Sequence, residues 1–409
     1  AVKIMGLAHS PKIVTDGLSF IYDTGSGKSY KGEPAENLWD SMLNTQALRS
    51  HTKHYWDGYK WLENATYSNP GVEGPKGTYL GLVFKHTSGA INSVWSGNSY
   101  GYMLRDIVCT SGATFTQSCW IYTSEDCDVT AIPSVIEGES GGESAVTGYP
   151  ASYDLTNKGT WQVTAKKAIS DGNTRFIPLY PRKNGVTDGS FTGFFMWSLP
   201  QVVAGSHVVQ PIQPGVTRST TQGLLDLTKN ETITLSNMSY DSNAQMSLDG
   251  TDDQFQISDP GVGTSFSIEV VIKVNSYSNG PIFVSPSSVG IDHFFRVLNN
   301  GKFSANFVEV PDTANDGYTS TTVINTGEYY HVVISKTPSN GTIYVNGVAE
   351  DSHTPTLPAA AWTGAWRIGA RWNNTYNLNG EIPILKVYNR DLAPAEVLQN
   401  YNALKSRFA

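Results

Sequence analysis

The stretch Phe266-Ser-Ile-Glu-Val-Val-Ile-Lys-Val274 decides the fold of this chain. Every second residue in it is apolar, whereas Ser267, Glu269 and Lys273 stand between the apolar positions. Successive side chains of a β-strand point to opposite faces of the sheet, so this alternation predicts a strand with one face in a hydrophobic core and the other face in water. The core is therefore expected to be built from β-sheets.

Further strand and turn signals lie on the C-terminal side of this stretch. Residues 329–335 form another β-rich run, and Asn346-Gly347 stands between apolar residues, which is a strong hairpin signal because both residues tolerate a positive φ. Asn299-Asn300-Gly301 predicts a second turn. Pro383 cannot donate a ladder hydrogen bond and therefore indicates a sheet edge or a bulge. From Pro394 the apolar spacing becomes helical, with Val397, Leu398, Tyr401, Leu404 and Phe408 on one side, so a short helix is expected to pack on the sheets.

Composition limits the class of protein. A chain of 409 residues suits two domains of about 180 residues each, and 39 Gly, 20 Pro and 11% aromatic residues are typical of an all-β protein with many turns. The net charge is only −8, and no Lys/Arg run with interleaved aromatics occurs, which argues against nucleic-acid binding. No apolar run approaches the roughly 18 residues that span a bilayer, so membrane insertion is not expected.

The cysteines and the first residues bear on the compartment. Cys109, Cys119 and Cys127 form an odd cluster in one short stretch, which suits buried, reduced thiols better than the disulfides of a secreted domain. Residues 1–12 lack the apolar core of a signal peptide. We therefore expect a protein that is made in a cytoplasm and not exported by that route.

Several motifs, in their order along the chain, resemble a laminin G-like, concanavalin A-like sandwich. The motifs are Ser247-Leu-Asp-Gly-Thr-Asp-Asp-Gln-Phe255, the stretch 266–274, Tyr330-His-Val-Val-Ile334, Ile343-Tyr-Val-Asn-Gly347 and Tyr388-Asn-Arg-Asp-Leu-Ala-Pro-Ala-Glu-Val397. In structural proteins of tailed bacteriophages, such a domain begins with a segment that is similar to residues 9–18, followed by an Asp and a Lys-Ser-Tyr. The chain departs from this pattern at Ala393, where a Ser or Thr helix cap worth about 1 kcal/mol is usual.

The resemblance also predicts an inserted domain. The opening motif is interrupted after about Gly32, and its continuation follows only near residue 223. Residues 13–35 and 219–409 are therefore expected to form one sandwich, in which residues 13–23 pair with strands beyond residue 219. Residues 36–218 resemble a carbohydrate-binding-module jelly roll, and residues 1–12 are expected to be an arm. The predicted fold class is thus all-β, with two β-sandwich (jelly-roll) domains, one inserted into the other, and a short C-terminal helix.

Signals for catalysis are weak. A glycosidase on this fold needs two carboxylates about 5 to 10 Å apart on one sheet, but the closely spaced Glu-Asp-Glu motif is absent and Glu269 stands alone. His331 is expected to be an outward-facing polar residue, and no Gly-x-Ser-x-Gly or His-Glu-x-x-His motif occurs. The sequence therefore predicts a protein that is not an enzyme, with a polysaccharide depolymerase as the less favoured alternative.

Two sets of residues have the chemistry to bind a ligand. Asp249, Asp252 and Asp253 offer closely spaced oxygens that calcium, the one cofactor suggested by the sequence, would accept, although the same residues suit an ordinary turn and we favour the turn. Sugars need flat aromatic rings beside amide or carboxylate groups, and each aromatic has the competing role of filling a core or an interface. The predicted glycan-binding residues are Trp372, Asn373, Asn374 and Tyr376 near the sandwich rim, and Trp56, Tyr59 and Trp61 in the insert.

The resemblance implies a non-enzymatic structural protein of a tailed-phage virion, exposed as a decoration or fibre-type component on the capsid, neck or tail. Its expected partners are other virion proteins, bound through an arm that carries Val2, Ile4, Met5 and Leu7. A homo-oligomer is also expected, and phage appendages suggest a trimer by analogy. The alternative function is a receptor-binding protein that adheres to surface glycans of the host.

Overall fold

The computed structural model describes residues 12–38, 59–62, 83–92, 103–108, 112–128, 131–132, 135–138, 153–154, 157–169, 173–179, 188–205, 209, 212, 215–241, 245–278, 280–284, 294–306, 317–354, 364–371 and 376–408. The chain divides into two compact units. The first unit contains residues 1–33, 219–241 and 245–409, and the second contains residues 34–218 and 242–244.

The described residues are mostly β-strands. In chain order the strands are β1 (Leu18–Asp23), β2 (Ala35–Glu36), β3 (Tyr59–Leu62), β4 (Val83–Asn92), β5 (Met103–Val108), β6 (Thr114–Thr123), β7 (Ala131–Ile132), β8 (Val135–Gly138), β9 (Tyr153–Asp154), β10 (Trp161–Ile169), β11 (Asn173–Leu179), β12 (Asp188–Ala204), β13 (Thr217–Arg218), β14 (Ile233–Ser236), β15 (Ser239–Tyr240), β16 (Met246–Asp249), β17 (Gln254–Ile257), β18 (Phe266–Ser276), β19 (Pro281–Val284), β20 (Phe294–Val297), β21 (Phe303–Asn306), β22 (Tyr318–Thr319), β23 (Tyr329–Lys336), β24 (Gly341–Val345), β25 (Val348–His353), β26 (Trp366–Ile368) and β27 (Asn379–Tyr388). The α-helix α1 (Pro394–Leu404) and a 3₁₀ turn (Lys405–Arg407) follow.

The first unit is a sandwich of two antiparallel sheets. The eight-stranded sheet has the order β15-β16-β27-β18-β23-β24-β25, and β1 also pairs with β27. The seven-stranded sheet has the order β14-β17-β26-β19-β20-β21-β22. One apolar core contains buried residues of both sheets, including Phe266 and Ile268 of β18 and Phe255 and Ile257 of β17. The all-β sandwich predicted from the alternating stretch is confirmed.

The first strand pairs with the last one. In β1, Leu18 lies opposite Tyr388 and Asp23 opposite Ile384, both in β27. A bridge between Tyr30 and Leu224 continues the contact between the two distant parts of the sequence. The predicted pairing of residues 13–23 with strands beyond residue 219 is thus confirmed for Leu18–Asp23.

The turns follow local sequence chemistry. Val345 pairs with Val348, and the two residues between them, Asn346 and Gly347, have φ values of 50° and 82°. This is the hairpin that Asn-Gly predicts, because both positions need a left-handed backbone. Gly301, at φ 74°, ends the Asn299-Asn300-Gly301 turn between β20 and β21. Pro383 lies where the pairing of β27 with β18 is irregular, which confirms a bulge.

One sequence expectation about β18 is wrong. The face opposite the core is not in water, because Ser267 and Glu269 are completely buried. The helix α1 and residues 12–14 pack across this face, where Val271 joins Leu404 and Ile13 in a second apolar cluster. His331 of β23, which we expected to point outward, is buried under the same cover.

The helix begins where the apolar spacing changes. Ala393 has the extended backbone of a helix cap, and Pro394 occupies the first helical turn. The Glu396 carboxylate accepts the Ala393 N–H at 2.9 Å, and Arg390 donates to the two oxygens of Glu396 at 2.8 and 2.7 Å. Helical spacing is confirmed at Val397 and Leu404, which are buried, whereas Leu398 is 46% exposed and Phe408 lies beyond the helix.

The second unit also consists of antiparallel sheets. Their orders are β10-β6-β12-β4-β3, β5-β11-β8, β13-β2 and β7-β9. Cys119 and Cys127 are buried and form no disulfide among the described residues, as predicted for structural thiols, and Cys109 lies outside those residues. The likeness of this unit to a carbohydrate-binding module stays a prediction. No helix in the described part of either unit is long and apolar enough to cross a membrane.

Candidate ligand-binding site

A buried polar cluster lies between the eight-stranded sheet and α1, and Glu269 is its centre. Lys386 Nζ donates to Glu269 Oε1 at 2.6 Å, and His331 Nε2 lies 3.0 Å from the same oxygen. Asn400 of α1 donates to Glu269 Oε2 at 2.6 Å, and the Tyr388 hydroxyl lies 3.4 Å from that atom. Three strands and the helix therefore converge on one carboxylate.

The cluster fixes the charge of Glu269. Burial alone would raise the pKa of this carboxyl, but the Lys386 ammonium and the His331 hydrogen bond outweigh burial and lower the pKa to about 2. Glu269 is thus a carboxylate that can only accept, so His331 must donate from Nε2. In the neutral imidazole, Nδ1 is then an acceptor, and it has no hydrogen-bond partner among the described residues.

The same cluster attaches the N-terminal segment to the helix. Asn400 Oδ1 accepts the Val14 N–H at 2.7 Å, and the Tyr388 hydroxyl donates to the Val14 carbonyl at 3.1 Å. Gln399 donates to the Lys12 carbonyl at 2.6 Å. Because buried polar groups are stable only when they are paired, these bonds hold the sheet, the helix and residues 12–14 in one arrangement.

A cavity of about 450 Å³, here called the His331 pocket, opens beside the C-terminal end of the helix. Aromatic side chains dominate its walls, and His331 and Asn346 supply polar groups. The Tyr401 ring lies 5.7 Å from the His331 ring, and Lys405 Nζ lies 5.6 Å from the Tyr401 ring centroid. The lining residues are Val271, Tyr329, Tyr330, His331, Asn346, Tyr401, Leu404, Lys405, Ser406 and Phe408.

A second cavity of about 430 Å³, the polar groove, shares Tyr329 and Phe408 with the His331 pocket. These two rings lie 5.1 Å apart and form a wall common to both cavities. Charged groups dominate the other side of the groove: Lys273 pairs with Glu381, and Arg407 donates to both oxygens of Asp23 at 2.7 and 2.8 Å. The Tyr329 hydroxyl donates to Glu381 at 2.6 Å, so the ring is also held in place.

The three predicted calcium ligands do come together. Oxygens of Asp249, Asp252 and Asp253 lie within 4.8 Å of one another. Hydrogen bonds of a turn already occupy them, because Asp253 accepts the Asp249 N–H at 2.6 Å and Asp249 accepts the Thr251 N–H at 2.6 Å. Burial raises the pKa of Asp253 to about 6. The turn accounts for these contacts, and calcium binding stays a prediction.

Most of the predicted sugar-binding residues lie outside the described part of the chain. This holds for Trp56, Trp372, Asn373 and Asn374, and the side chains of Tyr59 and Trp61 on β3 are likewise not described. Tyr376 is 41% exposed, and the Arg371 guanidinium lies 5.7 Å from its ring centroid. The arm residues Val2, Ile4, Met5 and Leu7 also lie outside the described residues.

Comparison with protein families agrees with the geometry of the first unit. Residues 249–398 match the laminin G-like family model described as the Concanavalin A-like lectin/glucanases superfamily. The match covers β17 to β27 and the first turn of α1, which make up most of both sheets. The sandwich is therefore a concanavalin A-like domain, as its motifs predicted. No curated protein matches the sequence.

Solved structures show only distant likeness. The Trypanosoma rangeli sialidase in complex with the inhibitor DANA is 14% identical over 43% of this chain and 30% of its own, with a TM-score of 0.36. Domain 4 of the Geobacillus stearothermophilus arabinanase AbnA, in complex with arabinotriose, is 18% identical over 45% of this chain and 93% of its own, with a TM-score of 0.35. The SAP-like pentraxin of Limulus polyphemus is 17% identical over 37% and 78%, with a TM-score of 0.30. The chain thus spans less than a third of the sialidase, and such likeness supports no conclusion about a shared ligand.

Proposed function

We propose that this protein is a non-enzymatic, glycan-binding structural protein of a tailed-phage virion, exposed as a decoration or fibre-type component on the capsid, neck or tail. The concanavalin A-like match over residues 249–398 supports the binding part of the proposal. The phage part rests on the resemblance of residues 9–18, and of the insert that follows, to phage structural proteins. The polar groove is the observation that carries glycan binding.

The groove combines the groups that a sugar requires. Tyr329 and Phe408 are partly exposed and offer ring faces to the C–H groups of a sugar. Lys273, Glu381 and Arg407 line the same space as hydrogen-bonding partners for hydroxyls. Because ion pairs already hold these charged side chains, binding would cost less side-chain entropy than it would with mobile ones. The volume also falls in the range of about 300–1,000 Å³ that is usual for small-ligand sites.

A glycan array probed with the intact chain tests the proposal. We expect binding of a subset of glycans, and Phe408→Ala should weaken it about tenfold, which corresponds to loss of roughly 1.4 kcal/mol of ring contact. Leu398→Ala is the matched control, because Leu398 is an exposed helix residue that does not line the groove. A blank array, or equal loss in both variants, would contradict glycan binding at this groove.

The groove also supports one competing function, a polysaccharide depolymerase. Asp241 and Glu381 both line it, and a glycosidase needs two carboxylates about one sugar apart. Against this, Lys273 and Tyr329 both engage Glu381, which ties that carboxylate into a static network. Release of reducing ends from host capsule or lipopolysaccharide distinguishes the two functions. We expect none, and release that Asp241→Asn abolishes would establish the enzyme instead.

Attachment to the particle is proposed to use residues 1–12, with other virion proteins as partners and a homotrimer as the oligomer. The segment carries Val2, Ile4, Met5 and Leu7, and the residues that follow it, Lys12 and Val14, are bonded to the middle of α1. Deleting residues 1–11 should remove the protein from particles while leaving the fold intact. Normal occupancy of the truncated protein would refute the arm. A low-resolution particle map that shows where the 44.5 kDa density sits, and with what symmetry, tests location and oligomer together.

A further inference from the structure

The His331 pocket is lined by a buried histidine, one ring nitrogen of which has no hydrogen-bond partner among the described residues. His331 is 4% exposed, and its Nδ1 has no partner within the described part of the chain. An unpaired buried polar nitrogen costs on the order of 1–3 kcal/mol, and a ligand in the adjoining cavity that paired with it would remove that cost. Nε2 is turned to Glu269, which does not line the pocket, and Nδ1 is the ring nitrogen that remains for a ligand.

The hydrogen bonds of His331 determine which group of a ligand can pair with its Nδ1. Glu269 is a carboxylate bonded to Lys386, and it accepts the Nε2–H of His331. The carboxylate fixes a proton on Nε2, so the neutral imidazole has its lone pair on Nδ1, and a group that pairs with this nitrogen in that form has to donate. A hydroxyl satisfies that need, whereas the carboxylate of an acidic sugar would place two acceptors against each other.

The other residues that line the His331 pocket narrow the chemical class of the ligand further. Tyr329, Tyr401 and Phe408 supply aromatic faces, and Asn346, whose Oδ1 accepts the backbone N–H of His331, supplies an amide group. Lys405, the cation of the pocket itself, has its Nζ over the Tyr401 ring, 5.6 Å from the centroid. The cations of the adjoining groove are paired with carboxylates, Lys273 with Glu381 and Arg407 with Asp23. Apolar ring faces beside a few fixed polar groups suit a neutral sugar residue.

We propose that the His331 pocket is a second sugar subsite, which takes a neutral sugar residue that donates a hydroxyl to Nδ1 of His331. The proposal rests on the function proposed above, because the pocket and the polar groove share Tyr329 and Phe408. An oligosaccharide would cross this common wall, with one residue on either side. Nδ1 is shielded in the free protein, so a side chain of the pocket wall has to move as the sugar enters.

The imidazole gives a direct readout. The full chain is labelled with ¹⁵N-histidine and titrated with a panel of neutral methyl pyranosides of glucose, galactose, mannose and rhamnose, and the His331 signal is assigned by its loss in His331→Phe. Without sugar, His331 should show the Nε2–H tautomer. At least one pyranoside should shift its Nδ1 resonance in a saturable way, because Nδ1 gains a hydrogen bond.

Two substitutions keep the test independent of folding. Ser406 is exposed at the pocket, so Ser406→Trp should block it without touching the buried cluster, and weaken the response more than about tenfold. Ala395→Trp is the control, because Ala395 is an exposed residue at the other end of α1. A silent His331 signal with every pyranoside, or an equal response in Ser406→Trp and the wild type, overturns the proposal.

The outcome separates this proposal from the first one. A positive glycan array with a silent His331 signal would refute the subsite at His331 and support glycan binding at the polar groove. A blank array with a saturable His331 response that Ser406→Trp abolishes keeps the sugar subsite and removes the polar groove as the main site. If both are silent, both proposals fail.

Discussion

At β18 the two faces of the eight-stranded sheet are both buried, yet they are built from opposite chemistry. On the inner face, Phe266, Ile268 and Val270 of β18 join the apolar core. On the outer face of the same strand, Ser267 and Glu269 are just as deeply buried, but under α1. One strand therefore packs a hydrophobic layer on one side and a charged cluster on the other.

The two faces contribute different things to the protein. Burying one apolar side chain contributes roughly 1.5–3 kcal/mol, so the inner face supplies stability in proportion to its area. A buried ion pair contributes little net stability, because desolvation offsets the attraction between its charges. Its partners are nevertheless confined to one geometry. The outer face thus fixes the positions of α1, residues 12–14 and the His331 ring. The shape of the His331 pocket depends on these positions.

Removing the central carboxylate should have the largest effect. Glu269→Ala leaves Lys386 buried without its partner, and we expect a loss of about 3–5 kcal/mol in the free energy of unfolding, measured by urea denaturation. The double variant Glu269→Leu with Lys386→Met removes both charges and should recover most of that loss. If the single substitution costs less than about 1 kcal/mol, the outer face is not organised around Glu269.

Low pH should have the second-largest effect on stability, because it removes the contribution of the outer face. The pKa of Glu269 is lowered from 4.5 to about 2, so its stabilising contribution is present above pH 4.5 and is lost as the pH falls towards 2. The difference corresponds to about 3 kcal/mol. The pKa of Asp253 is raised from 3.8 to about 6, so its contribution becomes more favourable as the pH falls through that interval. Between pH 3.8 and 2 the contribution of Asp253 changes little, whereas that of Glu396, whose pKa is lowered by its hydrogen bond with Arg390, is lost together with that of Glu269. The difference between the wild type and the double variant therefore gives the part due to Glu269, and the double variant should lose the steep part of the fall.

Asn400 tests the attachment of the N-terminal segment. Asn400→Ala removes bonds to Glu269 and Val14, which should cost about 1–3 kcal/mol and speed amide exchange at Val14. Hydrogen exchange with mass spectrometry gives both the local and the global effect. Asn402→Ala is the control on the same helix, because Asn402 is only partly buried. Equal exchange at Val14 in the two variants would show that other contacts hold the segment.

Trimming one side chain on the inner face should have the smallest effect on stability. Ile268→Val removes one methylene from the apolar core and should cost about 1 kcal/mol, as such trimming usually does. Because no charge is affected, the variant should keep the acid profile of the wild type. A changed profile below pH 3.8 would mean that the two faces are coupled through β18.

The sequence predicted what depends on local pattern and motif order. Alternation identified β18 and its core face, Asn346-Gly347 identified a hairpin, and the displaced opening motif predicted that β1 would pair beyond residue 219. It predicted that α1 would pack on the sheets, but not that α1, which is distant in sequence, would cover the polar face of β18. A strand with one polar face has the same pattern whether water or a helix covers it. Asn400, a polar residue at a buried helix position, was the one available signal.

The antiparallel pair of β2 and β13 has a consequence for how such a chain can change. Ala35–Glu36 and Thr217–Arg218 lie side by side, so the insert leaves and rejoins the chain through two adjacent strands. On the sandwich side, the Lys31 N–H meets the Gly223 carbonyl at 2.8 Å. Because entry and exit lie side by side, a short turn could close the chain at this point, which is the condition under which a domain can be gained, exchanged or lost by recombination at little entropic cost.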